Sequence, residues 1–130
     1  MWIFKNKAFA KFARKEQISD AKLWEAVTAA EKGNIDADYG GGVIKQRIAR
    51  TNQGKSGGYR AIIYYRQDDK AFFVYGFSKN ARDNIEDDEE RELKRQAKIT
   101  FALSNEQLLK LLENGTYQEV KSHDKKSQDI

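Results

Sequence analysis

The sequence predicts an α+β domain, with a small antiparallel sheet packed against an N-terminal helix pair and a C-terminal helix. Three observations carry this. Between Val43 and Phe77 three β-rich runs follow one another, separated by a Gly/Lys segment and by Asp68-Asp69. Before them, Leu23, Ala26, Val27 and Ala30 fall at the i, i+3, i+4, i+7 spacing of a buried helix face. After them, Leu93, Ala97 and Phe101 form a second apolar helical stripe. At 130 residues the chain is one domain by length. Its expected extent is residues 1–120, with a core over 2–103, an added helix over 105–114 and a disordered polar tail over 121–130.

Trp2 to Lys5 reads as a short edge strand. Asn6 is a suitable N-cap for a helix through Lys15, with Phe9, Phe12 and Ala13 on one side. Ser19 caps the next helix and Gly33 closes it. Asn34 to Gly42, with Asp36, Asp38 and three glycines, reads as a loop leading into a strand. That strand, Val43 to Arg50, alternates. Val43, Lys45, Arg47 and Ala49 point one way; Ile44, Gln46, Ile48 and Arg50 point the other. Tyr59 to Arg66 and Ala71 to Phe77 follow as a hairpin around Asp68-Asp69.

A two-residue turn there sets Arg60 opposite Phe77, Ile62 opposite Tyr75 and Tyr64 opposite Phe73. A symmetric Gly/Lys loop sets Lys45 and Arg47 near Tyr64 and Ile62. One face then carries Lys45, Arg47, Arg60, Tyr64 and Tyr75. The other carries Ile44, Ile48, Ala61, Ile63, Phe72 and Val74, for helices to cover. Asn84 is the expected cap of the next helix. The acids Glu86 to Glu90 suit its first turns, as a solvated helix start rather than a metal site. Ser104 and Gln107 form a capping box for a leucine helix that Gly115 stops. Tyr117 to Val120 adds a short strand.

Composition narrows the chemistry. There is no cysteine, which excludes disulfides and thiolate metal sites, and the one histidine, His123, lies in the polar tail. No apolar run approaches the ~20 residues of a membrane span. The amino end lacks the apolar stretch of a signal peptide, so a cytoplasmic protein with no membrane partner is expected. The formal charge is only +4, yet Tyr39 to Arg66 holds Lys45, Arg47, Arg50, Lys55, Arg60 and Arg66 and no acid. Clustering of this kind says more about a polyanionic partner than the total does.

Lys45 and Arg47 are two apart on a strand, so their side chains leave one face about 7 Å apart, near the phosphate spacing of a single strand. Lys55 sits among Gly54, Gly57 and Gly58, whose backbone can approach a ligand closely. Tyr59, Tyr64, Tyr65 and Tyr75 interleave with the cations and offer stacking surfaces for unpaired bases. The plain alternative is a solvated, positively charged hairpin. Cleavage of RNA needs no histidine. The 2′-OH attacks the adjacent phosphate once a base takes its proton, cations stabilise the phosphorane-like charge, and a donor protonates the 5′-oxygen. A lysine crowded by arginines is suited to the first task, and arginine to the second.

The segments G-G-V-I-K-Q-R-I-A, G-K-S-G-G-Y-R-A-I-I-Y-Y and F-V-Y-G-F-S-K-N resemble the RelE/HigB superfamily of toxins from bacterial type II toxin–antitoxin systems, nearest its HigB-like branch. The resemblance covers roughly Trp2 to Leu103. It implies a RelE-like fold and a ribosome-dependent mRNA endonuclease, metal-independent and without a cofactor. It also implies an adjacently encoded, DNA-binding antitoxin as partner, with mRNA and the ribosome as targets. Carried over by position, the catalytic set is Lys45, Arg47, Lys55, Arg60 and Lys79. The RNA-contacting set is Arg50, Tyr64, Arg66, Tyr75, Asn80 and Arg82. Some members place histidine in the site, and this chain has none there. A ParE-like gyrase inhibitor on the same fold, and a non-catalytic RNA- or ribosome-binding module, are the alternatives.

Overall fold

The computed structural model describes residues 1–49, 58–82 and 84–122. In chain order the elements are β1 (Trp2–Asn6), α1 (Lys7–Glu16), α2 (Asp20–Glu31), β2 (Ala37–Gly40), β3 (Val43–Ile48) and β4 (Tyr59–Arg66). There follow β5 (Lys70–Ser78), α3 (Asp87–Phe101), α4 (Asn105–Glu113) and β6 (Tyr117–Glu119). The α+β class holds, and α1, α2 and α4 begin where their caps predict. Asn6 accepts a hydrogen bond from the Phe9 amide and Ser19 from the Lys22 amide. Ser104 and Gln107 form the expected reciprocal box. The cap of α3 is Glu86, boxed with Glu89, and not Asn84. Asn84 instead accepts from the Ile85 amide and from the Tyr39 hydroxyl, tying β2 to the α3 entry.

The strands form one sheet in the order β2-β3-β4-β5-β1-β6. Two strand assignments change. Asn34 to Gly42 is not all loop: Ala37–Gly40 pairs antiparallel with β3 as an edge strand. The first strand is not an edge. It lies between β5, to which it runs parallel, and β6, to which it runs antiparallel. Its adjacent Ile3 and Phe4 are both buried, and they enter different apolar clusters. Burial on both faces fits a strand with helices on either side of the sheet.

Both faces of the sheet are covered. One cluster joins Ile3, Ile44, Ile48, Ala61, Ile63 and Phe73 to Phe9 of α1 and to Leu23 and Val27 of α2. The other joins Phe4, Val43, Ile62, Tyr64 and Phe72 to Ala97 of α3 and Leu108 of α4. Phe72 and Val74 therefore lie with Tyr64, opposite to the expected face. The cause is local. The β4–β5 turn takes three residues, closed by the Asp69 amide donating to the Arg66 carbonyl, with Asp68 at φ 60°. This shifts the register by one near the turn, so Tyr64 faces Phe72. A bulge at Val74 restores it, and Ile62 meets Tyr75 and Arg60 meets Phe77 as expected. The bulge carbonyl of Val74 accepts from Asn6 Nδ2 at 3.1 Å, so one side chain serves both the α1 cap and the bulge. Just beyond, Gly76 lets α1 lie against β5: a Cβ there would sit 2.4 Å from the Phe12 ring.

Among the described residues no helix is long and apolar enough to cross a membrane.

Candidate functional site

β3 and β4 deliver the candidate cations. Lys45 pairs with Ile62, and Arg47 lies directly across from Arg60. This register is two residues away from the symmetric-loop expectation. A shift of two keeps every side chain on its predicted face, because the strand period is two. Across β5, Ser78 pairs with Tyr59, and the Lys79 amide donates to the Gly58 carbonyl at 3.2 Å. Lys79 thus stands one residue beyond the Tyr59–Ser78 rung, at the sheet end that carries Arg47 and Arg60. Arg47, Lys79 and Asn80 are exposed.

Arg60 is not a surface cation. It is 9 % exposed, and its Nη1 donates to the Tyr59 carbonyl at 3.2 Å. Its Nε lies 3.4 Å from Asp36 Oδ2, and the same oxygen lies 3.6 Å from Lys45 Nζ. One carboxylate oxygen therefore sits between two candidate catalytic cations. Asp36 is itself anchored. Its amide donates to Gln46 Oε1 at 2.9 Å. Gln46 Nε2 donates in turn to the carbonyls of Ala26 at 2.9 Å and Asn34 at 3.1 Å. At 3 % exposed, Gln46 is a buried polar clamp whose amide is bonded through both of its polar atoms.

Neither Asp36 nor Gln46 belonged to the expected site. Asp36 stands just outside the acid-free stretch, and without β2 nothing brought it across to Lys45. Gln46 did leave a signal. It is the polar member of the apolar series Ile44, Gln46, Ile48, and a polar side chain on a buried face needs buried partners.

The remaining candidates divide. Tyr64 does not offer a ring to solvent. It is 5 % exposed, edge-on to Phe101 of α3, and burial pushes its hydroxyl pKa up to about 12. Arg66 ion-pairs with Asp69 at 2.7 Å and lies over the Phe101 ring. It is six residues along β4 from Arg60, roughly 20 Å at strand rise, and does not join the cluster. Arg82 forks onto both Glu89 oxygens, at 2.5 and 3.1 Å, and donates to the Tyr75 hydroxyl at 3.0 Å. It also lies over the Tyr75 and Phe77 rings. The Glu89 carboxylate raises its proton affinity, and Arg82 in return holds Glu89 below the usual carboxylate range. Arg82 thus braces the α3 entry against β5, with Tyr75 half-buried beneath it. Arg50 and Lys55 lie outside the described residues. Among the described residues no group of His, Cys, Asp or Glu is arranged to hold a metal ion.

Lys45, Arg47 and Arg60 stand on neighbouring rungs of β3 and β4, and Lys79 lies just past the end of the adjacent β5. A search of curated proteins finds no match. The model of the family described as the RelE toxin of the RelE / RelB toxin–antitoxin system matches residues 1–120, which span every helix and strand of the fold. The chain therefore belongs to the RelE toxin family, the toxin half of a toxin–antitoxin pair whose counterpart is a cognate antitoxin.

Proposed function

We propose that this toxin is a ribosome-dependent mRNA endonuclease of the HigB-like branch, which inhibits translation in the cytoplasm and is neutralised by an adjacently encoded, DNA-binding antitoxin. The observation that carries the reading is the opposition of Arg47 and Arg60 across β3 and β4, with Lys45 one turn of the pleat away. In the reaction the 2′-OH oxygen bonds to the adjacent phosphorus and its proton passes to a lysine of the set. The bond from phosphorus to the 5′-oxygen breaks, and that oxygen takes a proton from a second cation. Arg60 and Arg47 stabilise the charge that builds on the phosphoryl oxygens. Lys55 and Lys79 complete the catalytic set, and Arg50, Asn80 and Tyr75 contact the flanking RNA. Arg66 and Arg82 contribute to the field rather than to the cleavage point, since Arg66 stands at the far end of β4 and Arg82 is forked onto Glu89 at the entry of α3.

Primer-extension mapping of mRNA after induction of the toxin tests this. Discrete breaks within translated codons are expected. Intact mRNA on stalled ribosomes would replace the nuclease with a binder that acts by occupancy. DNA damage would point to gyrase. Binding to RNA is expected to weaken linearly in log affinity against log salt, and a salt-independent affinity would contradict phosphate contact.

A further inference from the structure

We propose that Asp36 is a positioning residue of the site, which fixes the Lys45 ammonium and the Arg60 guanidinium on one carboxylate oxygen so that both are aimed before RNA arrives. This rests on the nuclease reading above and goes beyond it, since nothing in the cation pattern calls for an acid at that point.

Three observations carry it. The first is the shared oxygen: Asp36 Oδ2 is 3.6 Å from Lys45 Nζ and 3.4 Å from Arg60 Nε. Both cations are on long, rotamer-rich stems, and a fixed counter-charge is what holds such stems in one geometry. The second is the anchoring of Asp36. Its amide is held by Gln46, whose own amide is clamped to two carbonyls. Ala37, the next residue, pairs with Lys45 across β2 and β3. A carboxylate that served only to neutralise charge would need no such mounting. The third is its cost. An acid in an anion site opposes phosphate binding. Its presence is explained if it gains rate through alignment, because a misplacement of 1 Å costs about a hundredfold.

Charge reversal of a surface pair would act on binding; positioning acts on the rate at saturation. The two are separated by Asp36→Asn, which keeps the shape and the backbone donor to Gln46 but removes the charge. Single-turnover cleavage on programmed ribosomes is expected to fall by about a hundredfold. Affinity for the ribosome complex should stay equal or tighten, because a negative charge has been removed from a cationic site. Asp36→Glu should recover part of the rate. In the free protein, the Arg60 Nε–H resonance should exchange faster with solvent in Asp36→Asn than in the wild type. A parallel fall of rate, affinity and melting temperature would make Asp36 a purely structural residue and overturn the proposal. A rise in both rate and affinity would also overturn it, by making Asp36 a competitor of phosphate. If the wild type cuts no RNA, the nuclease reading fails alone. The Arg60 resonance still decides whether Asp36 orders that side chain, and unchanged exchange refutes it.

Discussion

Replacing Arg60 by alanine separates an enzyme from a binder. The residue is 9 % exposed and its side chain is held at two points, Tyr59 O and Asp36 Oδ2. A preorganised donor of this kind, aimed at charge that develops in the transition state, typically stabilises it by about 2.7–4 kcal/mol, or roughly a hundred- to a thousandfold in rate. A single phosphate contact instead weakens binding modestly and evenly across sequences. The cost to the fold is bounded. Asp36 retains Lys45, and its side chain is 36 % exposed, so removal of Arg60 leaves no carboxylate stranded in the dry interior. About 1 kcal/mol is expected for the lost bond and ion pair and a further loss for the packing of the buried stem, against the roughly 5–15 kcal/mol typical of a folded domain. Arg60→Ala should therefore fold, bind ribosomes nearly as well, and lose cleavage. Arg60→Lys should also be impaired, because one ammonium cannot reproduce the guanidinium fork. The assay is single-turnover cleavage on programmed ribosomes beside ribosome binding. Near-normal cleavage by Arg60→Ala would remove the residue from the catalytic set. A parallel loss of binding and cleavage would assign it to docking and favour inhibition by occupancy.

Three further outcomes follow from packing and charge. Gly76→Ala drives a methyl into the Phe9–Phe12 contact, 2.4 Å from one ring and 3.0 Å from the other, and should lower unfolding stability by about 1–3 kcal/mol in urea titration; an unchanged midpoint would refute the close packing. Truncation after Leu103 removes Leu108, Val120 and Tyr117, whose ring packs on Phe4 and Phe72. At about 1.5–3 kcal/mol for each buried side chain, the loss rivals the whole stability of a domain, so circular dichroism should show a largely unfolded fragment. A cooperatively folded fragment with near-native stability would show that α4 and β6 are dispensable. Burial raises the Tyr64 pKa to about 12 from an ordinary 10.0. A folded pKa above the unfolded one contributes stability that is intact below about pH 10 and is lost as pH rises toward 12. Tyr64→Phe should flatten that alkaline loss in thermal melts taken against pH, and an identical alkaline limb would contradict it.

What was legible in the sequence was what is encoded over a few residues. Asn6, Ser19 and the Ser104–Gln107 pair each mark a helix start through a bond to an amide at most three residues away. The common face of Lys45, Arg47 and Arg60 was legible too, since alternation survives a register error of two. What failed depended on distant partners. The place of β1 is set by β5 and β6, far along the chain. The face of Phe72 turned on one extra turn residue, and that of Tyr64 as a binding surface on whether α3 covers it. Asp36 was missed for the same reason. Its role exists only once β2 pairs with β3.

Charge at the site is governed by how the acids are disposed. Glu86 to Glu90 form the densest acidic run in the chain, and α3 begins beside Tyr75 and Arg82, close to the cations. Left free, that run would compete with RNA for them. Asp88 pairs with Arg91, Glu89 with Arg82, Glu90 with Lys94 and Glu92 with Arg95. Each pair is local, so Asp88, Glu89 and Glu90 of the run are matched within the helix or the loop before it, and exposed pairs of this kind contribute little to stability. Asp36, just before β2, instead reaches the cations of β3 and β4. Asp88, Glu89 and Glu90 are paired by neighbours in their own helix or the loop before it, whereas Asp36 is held by a buried glutamine at a point where its charge meets Lys45 and Arg60 together. A charge screened locally acts on the helix that bears it; a charge mounted across strands acts on the residues it faces. On that distinction the proposed positioning role falls to Asp36, and the paired α3 acids belong to the scaffold.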